Sequence, residues 1–256
     1  MRPAKTSAAE FVPERPTLPK LQQAVQRCRG CDLYRFATQA VFGEGPVHAS
    51  ILFIGEQPGN DEDLQGRPFV GPAGKLLDRA LAEAGIDRSD VYVTNAVKHF
   101  KFEERGKRRL HKKPRASEVE ACYPWLDAEL AVIQPKIVVC LGATAAQAML
   151  GPAFRLTKER GKFFPHDQAP RVTATVHPSA ILRAPDAEQR HAQYRDFVAD
   201  LKRIRDALDA LPSPPQRETR PKPPASAVTI SDSGGARSVR PRPPLLRRRT
   251  PRSSSG

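Results

Sequence analysis

The chain reads as an α/β protein, a three-layer α/β/α arrangement around a central, mostly parallel four-stranded sheet. Three observations predict this. Short apolar runs recur at residues 51–54, 91–94, 137–141 and 172–176, each with the composition of a strand buried on both faces. Stretches with helical spacing lie between and after them. The unusual polar groups sit just beyond the apolar runs: Glu56 and Gln57 after the first, Asn95 after the second, His177 after the fourth. In parallel sheets that carboxyl edge is where ligands are bound.

In chain order, residues 1–19 are polar and proline-bearing and are expected to form a flexible leader. Residues 18–27 suit a short helix delivering Cys28 and Cys31. The first strand, 51–54, ends at Gly55 and gives way to a loop rich in Gly and Pro. Leucines at 76, 77 and 81 then mark a helix over 74–84, stopped by Gly85. The second strand, 91–94, runs into Asn95 and a basic loop. Ser117 with Glu120 reads as a capping box opening a helix to about Val132. A third strand at 137–141 leads through Gly142 into a helix over 143–150. The fourth strand ends at His177-Pro178-Ser179, and a helix over 187–211 closes a domain spanning 20–211.

Charge is distributed unevenly. Of the formal +14, the tail 212–256 contributes ten Lys/Arg against two Asp/Glu, with ten Pro and little to bury, and is expected to be disordered. The loop 98–115 carries nine Lys/Arg against two Glu, with His111 set among the cations. Two separate basic concentrations point to a polyanion, most simply nucleic acid. The plain alternatives are a solubilising tail and a phosphate-gripping loop in which His111 is incidental. No apolar run reaches the ~18 residues that suggest a membrane span, and the N-terminus lacks the apolar core of a signal peptide. A monomer in the cytoplasm, associated with the nucleoid, is the expectation. In that reducing compartment Cys28, Cys31, Cys122 and Cys140 suit a [4Fe–4S] cluster or zinc better than disulfides. Spacing does not choose between the metals, and buried free thiols are the alternative for Cys122 and Cys140.

The densest signal is Gly55-Glu56-Gln57-Pro58-Gly59, followed by Asp61-Glu62-Asp63 and by Gly66-Arg67-Pro68-Phe69-Val70-Gly71. Close Gly/Pro turns let backbone approach a ligand and hold Glu56 rigidly. An acidic surface loop would explain the charges but not Gln57 locked in a turn, nor Phe69 between Pro and Val in a Gly-bounded turn. Together with a strand ending in Thr94-Asn95-Ala96-Val97-Lys98 and the late His177-Pro178-Ser179, these motifs resemble the uracil-DNA glycosylase superfamily, specifically its iron–sulfur family 4 branch. The resemblance covers roughly residues 20–205. Relatives often carry an acid where this chain has Asn60.

The resemblance implies a fold, a substrate and roles for these residues. The substrate is uracil-containing DNA, with single strands favoured because no pairing must be broken. Gln57, Phe69 and Asn95 bind the base. The Asn95 amide can accept from uracil N3–H and donate to O4, and Phe69 would stack, an interaction worth roughly 1–3 kcal/mol. Glu56 and His177 are catalytic, His177 donating to O2 as the base leaves. Cys28, Cys31, Cys122 and Cys140 hold a structural [4Fe–4S] cluster. The Gly106-Lys107-Arg108-Arg109-Leu110-His111-Lys112 segment resembles the signature of UdgX-type proteins, which implies that His111 becomes joined to deoxyribose C1′. Lys98, Lys107, Arg108, Arg109, Lys112 and Ser179 are the expected DNA contacts. A conventional turnover glycosylase and a non-catalytic damaged-DNA binder are the alternatives.

Overall fold

The structure is a computed structural model that describes residues 7–211. The expectations for the tail 212–256 lie outside the described residues. In chain order the elements are α1 (Leu18–Val25), β1 (Ile51–Gly55), α2 (Asn60–Gln65), α3 (Pro72–Ala84), β2 (Val91–Asn95), β3 (Phe102–Arg105), β4 (Arg108–His111) and α4 (Ala116–Ile133). They continue as β5 (Ile137–Leu141), α5 (Ala143–Leu150), α6 (Leu156–Glu159), β6 (Phe163–His166), β7 (Ala169–Thr175), α7 (Pro178–Leu182) and α8 (Ala187–Asp209).

The central sheet has five strands, not four, in the order β2-β1-β5-β7-β6. All neighbours run parallel except the β6–β7 pair. The extra strand is Phe163-Phe164-Pro165-His166, with a register shift between Phe164 and His166. Its proline reads as a breaker in sequence but is tolerated because only one side of an edge strand is paired. Alternation along the parallel strands builds two apolar layers. Ile51, Phe53, Val93 and Val139 join Leu77, Leu81, Phe197 and Leu201 on one face. Leu52, Ile54, Val138 and Cys140 join Leu126, Leu130 and Ala146 on the other. The three-layer α/β/α class is therefore correct.

A third, smaller cluster joins Ala8, Leu21, Val25, Cys28, Cys122 and Trp125, tying the N-terminal segment to α1 and α4. Within the stretch read as a loose leader, Ala8 is buried and its amide donates to Ala121 O at 2.8 Å. The α4 cap also differs from expectation. The helix starts at Ala116, and Arg115 N donates to Glu118 Oε2 at 2.6 Å, so Ser117 is already helical and does not cap. Lys101 Nζ, 2.7 Å from the same carboxylate, fixes that start.

The basic loop contains an antiparallel hairpin, β3–β4, turning at Gly106 and outside the central sheet. Its strands, FEER and RRLH, carry polar side chains on both faces, so no period-2 pattern announced them.

Candidate active site

The register of β1 and β2 sets the site. Gly55 pairs with Asn95, and the pairing continues past the strands as Ala96 N to Gly55 O (2.9 Å) and Val97 N to Glu56 O (3.0 Å). Glu56 and Asn95 are thereby delivered side by side. Gly55 is required here: a Cβ would lie 2.2 Å from Asn95 Oδ1 and 2.9 Å from Phe69 Cζ. Phe69 itself has φ +56°, a conformation costly for an aromatic residue, and its backbone lies against Gly74, where a Cβ would meet Phe69 O at 1.7 Å. The Phe69 and His177 rings are 6.2 Å apart and near-parallel at 27°. Gly55, Asn95, Phe69 and His177 thus meet in one place.

His177 is fixed as a neutral donor. Its Nδ1 accepts from Ser179 N (3.1 Å) and lies 2.8 Å from Ser179 Oγ, which leaves the ring proton on Nε2. Burial, with the charge of Arg183 and the neighbouring His111, pushes its pKa down to about 4. Ser179, expected to contact DNA, is spent instead on setting this tautomer.

Glu56 Oε2 accepts a short hydrogen bond from Thr144 Oγ1 at the start of α5. Its other oxygen lies 3.5 Å from His111 Nε2. Hairpin strand β4 carries His111 there, and Gln57 pins the hairpin. Gln57 Oε1 accepts from Lys101 N (3.0 Å), while its Nε2 donates to Lys112 O (2.9 Å) and Lys101 O (3.2 Å) and lies 2.9 Å from His111 Nε2. The two Gln57 N–H groups are directed at those carbonyls, and at His111 Nε2 the donor and acceptor roles depend on the ring's tautomer. The Gln57 side chain is therefore committed to the hairpin and is not offered to a base. Burial lowers the His111 pKa from its ordinary value; Glu56 and a hydrogen bond to its own backbone pull it up, and Arg183 pulls it down. The imidazole is neutral at pH 7.

Three expected phosphate contacts have other work. Lys98 is fully buried, with Nζ 2.5 Å from Glu129 Oε2, 2.7 Å from Thr94 Oγ1 and 2.9 Å from Asn95 O. It cannot reach DNA; it steadies the backbone of Asn95. Arg109 Nη1 is 2.7 Å from the buried Asp63 Oδ2, its Nε donates to Asn60 Oδ1 (2.9 Å), and the guanidinium lies over Phe102 and Phe100. Asn60, the departure from the usual acid, is thus an acceptor for the hairpin. Lys112 pairs with Glu103. Lys107 and Arg108 remain exposed at the hairpin tip.

Sequence reading missed Thr144, although it stands at the strand-end position after β5 that marked the other groups. It also missed Arg183 and Glu129, which acquire roles only through contacts distant in sequence. A second basic feature is likewise made by the fold. Lys75, Arg79, Arg190 and His191 surround a groove of about 440 Å³ floored by Leu76, Ile181 and Tyr194, beside the short helix that His177 caps.

Of the four cysteines, the structure gathers three. Cys28 and Cys122 share the small N-terminal cluster, with Cys31 packed against it. Trp125 Nε1 donates to Cys28 Sγ (3.2 Å) and Lys98 N to Cys122 Sγ (3.3 Å), hydrogen bonds of the kind that steady a thiolate. Burial pushes the Cys122 thiol up to about 12, so only a bound cation would keep it ionised at neutral pH. Cys140 does not join them. It lies mid-sheet, paired with Ile54 and Ala174, and packs in the layer on the α5 face.

The sequence profile described as the uracil DNA glycosylase superfamily matches residues 42–202. The chain is 36% identical over 195 residues to the type-4 uracil-DNA glycosylase of Archaeoglobus fulgidus, covering 73% of this chain and 92% of that protein. The type-4 enzyme of Sulfurisphaera tokodaii is 37% identical over 198 residues, 74% of this chain and 84% of its own length. That of Thermotoga maritima is 38% identical over 178 residues, 69% and 89% of the two chains.

Proposed function

The chain belongs to the uracil-DNA glycosylase superfamily, and on that premise we propose that it excises uracil from DNA and then retains the DNA through a bond from His111 to deoxyribose C1′. The observation that carries the second step is His111 Nε2 lying 3.5 Å from Glu56 and 2.9 Å from the Gln57 amide, on a hairpin pinned at both strands.

Excision proceeds by departure of the base. The C1′–N1 bond breaks with its electron pair moving to uracil, whose developing negative charge is met by the His177 Nε2–H at O2. Asn95 reads N3–H and O4, and Phe69 covers the ring. The Glu56 carboxylate, held by Thr144, stabilises the cationic sugar left behind. The Nε2 lone pair of His111 then adds to C1′. The resulting imidazolium loses its Nδ1 proton to water, and the uracil anion takes one up, so charge and atoms balance. Glu56 faces Nε2 and not Nδ1, so it does not receive that last proton. A neutral alkyl-imidazole is a poor leaving group, and a positioned nucleophile reaches effective molarities of about 10⁵–10⁸ M. The adduct therefore persists in place of turnover.

Single-stranded DNA is the favoured substrate, since the base is already unpaired. The cofactor is a [4Fe–4S] cluster to which Cys28, Cys31 and Cys122 contribute. The three-sulfur set with its N–H donors fits such a group, whose part is structural, tying the N-terminal segment to α4. Among the described residues no group of three or more Cys, His, Asp or Glu side chains is placed to hold a metal ion.

Denaturing electrophoresis with an excess of uracil-containing oligonucleotide tests the reading. The expected result is a shifted protein–DNA band that saturates at one oligonucleotide per chain and disappears in His111→Ala, which still binds the strand. Catalytic accumulation of free abasic strand without a shifted band would instead mean an ordinary turnover glycosylase.

A further inference from the structure

We infer that Glu62 is a positioning residue for uracil excision: it clips together the turns that carry Glu56 and Phe69, and so sets the aromatic ring over the base. This rests on the excision reading above and concerns how the site keeps its shape.

Glu62 belongs to the acidic run Asp61-Glu62-Asp63 on α2, yet it is not a surface charge, being 8% exposed. Its carboxylate is divided between backbone amides of two different turns. Oε2 accepts from Gly59 N at 3.0 Å, and Oε1 accepts from Gly71 N at 2.8 Å. Gly59 closes the turn that begins at Glu56, and Gly71 closes the turn that contains Phe69. Both glycines make room for the carboxylate. A Cβ at Gly59 would lie 2.6 Å from Oε2, and one at Gly71 would lie 3.1 Å from Oε1.

The two turns differ in their other support. The Glu56 turn continues β1, and Val97 N donates to Glu56 O at 3.0 Å. The Phe69 turn lies outside the sheet, and Phe69 stands at φ +56°, a conformation that persists only where its surroundings enforce it. Ahead of Phe69, Arg67 pairs with Glu44 at 2.7 Å, but the two side chains are 64% and 43% exposed, and such pairs hold little. Behind it, the buried carboxylate grips the Gly71 amide, and a hydrogen bond to an ionised acceptor is the stronger kind. The ring so held reaches the end of β1, where a Cβ at Gly55 would lie 2.9 Å from Phe69 Cζ, and stands 6.2 Å from His177. A turn released from Glu62 would carry the ring away from the groups that read and discharge the base.

The test compares the full-length protein with Glu62→Gln, Phe69→Leu, the double variant and Arg67→Ala. Uracil release is followed in single turnover with protein in excess, together with adduct yield and thermal melting. The amide has one acceptor oxygen, so Glu62→Gln keeps only one of the two bonds at nearly unchanged size. Excision is expected to slow by about 10- to 10²-fold, the scale of a displacement of roughly 1 Å at a reacting site. The adduct formed per uracil released should not change, because the hairpin is fastened by Gln57 and Asp63 instead. Arg67→Ala should leave excision within about two-fold of wild type. In the Phe69→Leu background, Glu62→Gln should cost less than about two-fold more, since the ring it positions is gone. Equal slowing in both backgrounds, whether or not the melting midpoint falls, assigns Glu62 to general support of the fold and overturns the inference. Excision at the wild-type rate in Glu62→Gln overturns it too. Wild-type protein that releases no uracil overturns the excision reading itself, a result distinct from either.

Discussion

Arg109 separates two ways in which a basic hairpin could serve a uracil-processing site. Read from composition it is a phosphate contact; read from its partners it is a latch. The Asp63 carboxylate it meets has no solvent-exposed surface, and Arg109 is itself 19% exposed. Removing one partner of a buried ion pair typically costs 3–5 kcal/mol. Asp63 would retain Thr38 N (3.0 Å) and Thr38 Oγ1 (2.6 Å), so about 3 kcal/mol is the appropriate end of that range. That loss falls on the docking of a two-stranded hairpin, a unit marginal in isolation, so it undocks the hairpin without unfolding the domain. At about 1.4 kcal/mol per decade, the equilibrium constant for docking His111 beside Glu56 falls roughly 10²-fold. Arg109→Met is therefore expected to slow crosslinking at saturating DNA by up to about 10²-fold. Uracil release should stay within a few-fold, and the affinity for DNA and its salt slope should be unchanged. Single-turnover kinetics read by denaturing gel, with fluorescence anisotropy across a salt series, measure all three. Weakened binding with a salt slope smaller by about one, and normal crosslinking at saturation, would refute the latch and restore the phosphate contact.

Gly55→Ala should abolish excision while leaving the fold intact by circular dichroism, because the new Cβ would collide with Asn95 Oδ1 and Phe69 Cζ. Lys98→Met strands the buried Glu129 carboxylate and should lower unfolding stability by about 3–5 kcal/mol in a urea titration, with the Asn95 backbone losing its anchor. Crosslinking at saturation should be flat from pH 8 to 6.5 and decline only below that, since the His111 pKa lies under its ordinary 6.5 and the neutral ring is the nucleophile. His177, neutral in the fold down to about 4 against 6.5 when unfolded, stabilises fully above pH 6.5 and loses that contribution as pH falls towards 4. The pH dependence of the urea midpoint between those values should accordingly be shallower in His177→Asn. Arg190→Ala, in the groove beside α7, should weaken binding to all sequences alike and reduce the salt slope by about one, leaving the yield at saturation unchanged.

The parallel core and its carboxyl edge were legible because their signals are local. Five-residue apolar strands followed by Glu56, Asn95 and His177 need no tertiary knowledge to be noticed, and the register Gly55↔Asn95 then follows from the strands themselves. What could not be read was the destination of side chains whose partners are distant in sequence. Lys98 and Glu129 lie 31 residues apart, and Thr144 and Glu56 are separated by 88. The cysteines fail for the same reason. A Cys near a strand end and a Cys on a helix look equally available until alternation sends Cys140 into the layer beneath α4 and the helix turns Cys122 away from the sheet, into the N-terminal cluster. The edge strand was hidden by Pro165, whose local propensity contradicts the role its neighbours impose.

The charge of the hairpin segment needs reinterpretation on the same grounds. Counted in sequence, its nine Lys/Arg look like a phosphate-binding surface. In the fold Lys98, Lys101, Arg109 and Lys112 are taken by Glu129, Glu118, Asp63 and Glu103. Each of these pairs ties the segment to another element or tightens the hairpin itself. Such a distribution suits positioning more than affinity: a loop that only gripped phosphate would gain by keeping its cations free, whereas one that must hold a nucleophile beside Glu56 gains by spending them on protein. The exposed remainder, Arg105, Lys107, Arg108, Lys113 and Arg115, can meet the backbone of a bound strand without setting where His111 stands. Affinity and trapping are thus assigned to different residues, and for that reason Arg109→Met and Arg190→Ala are expected to fail in opposite assays.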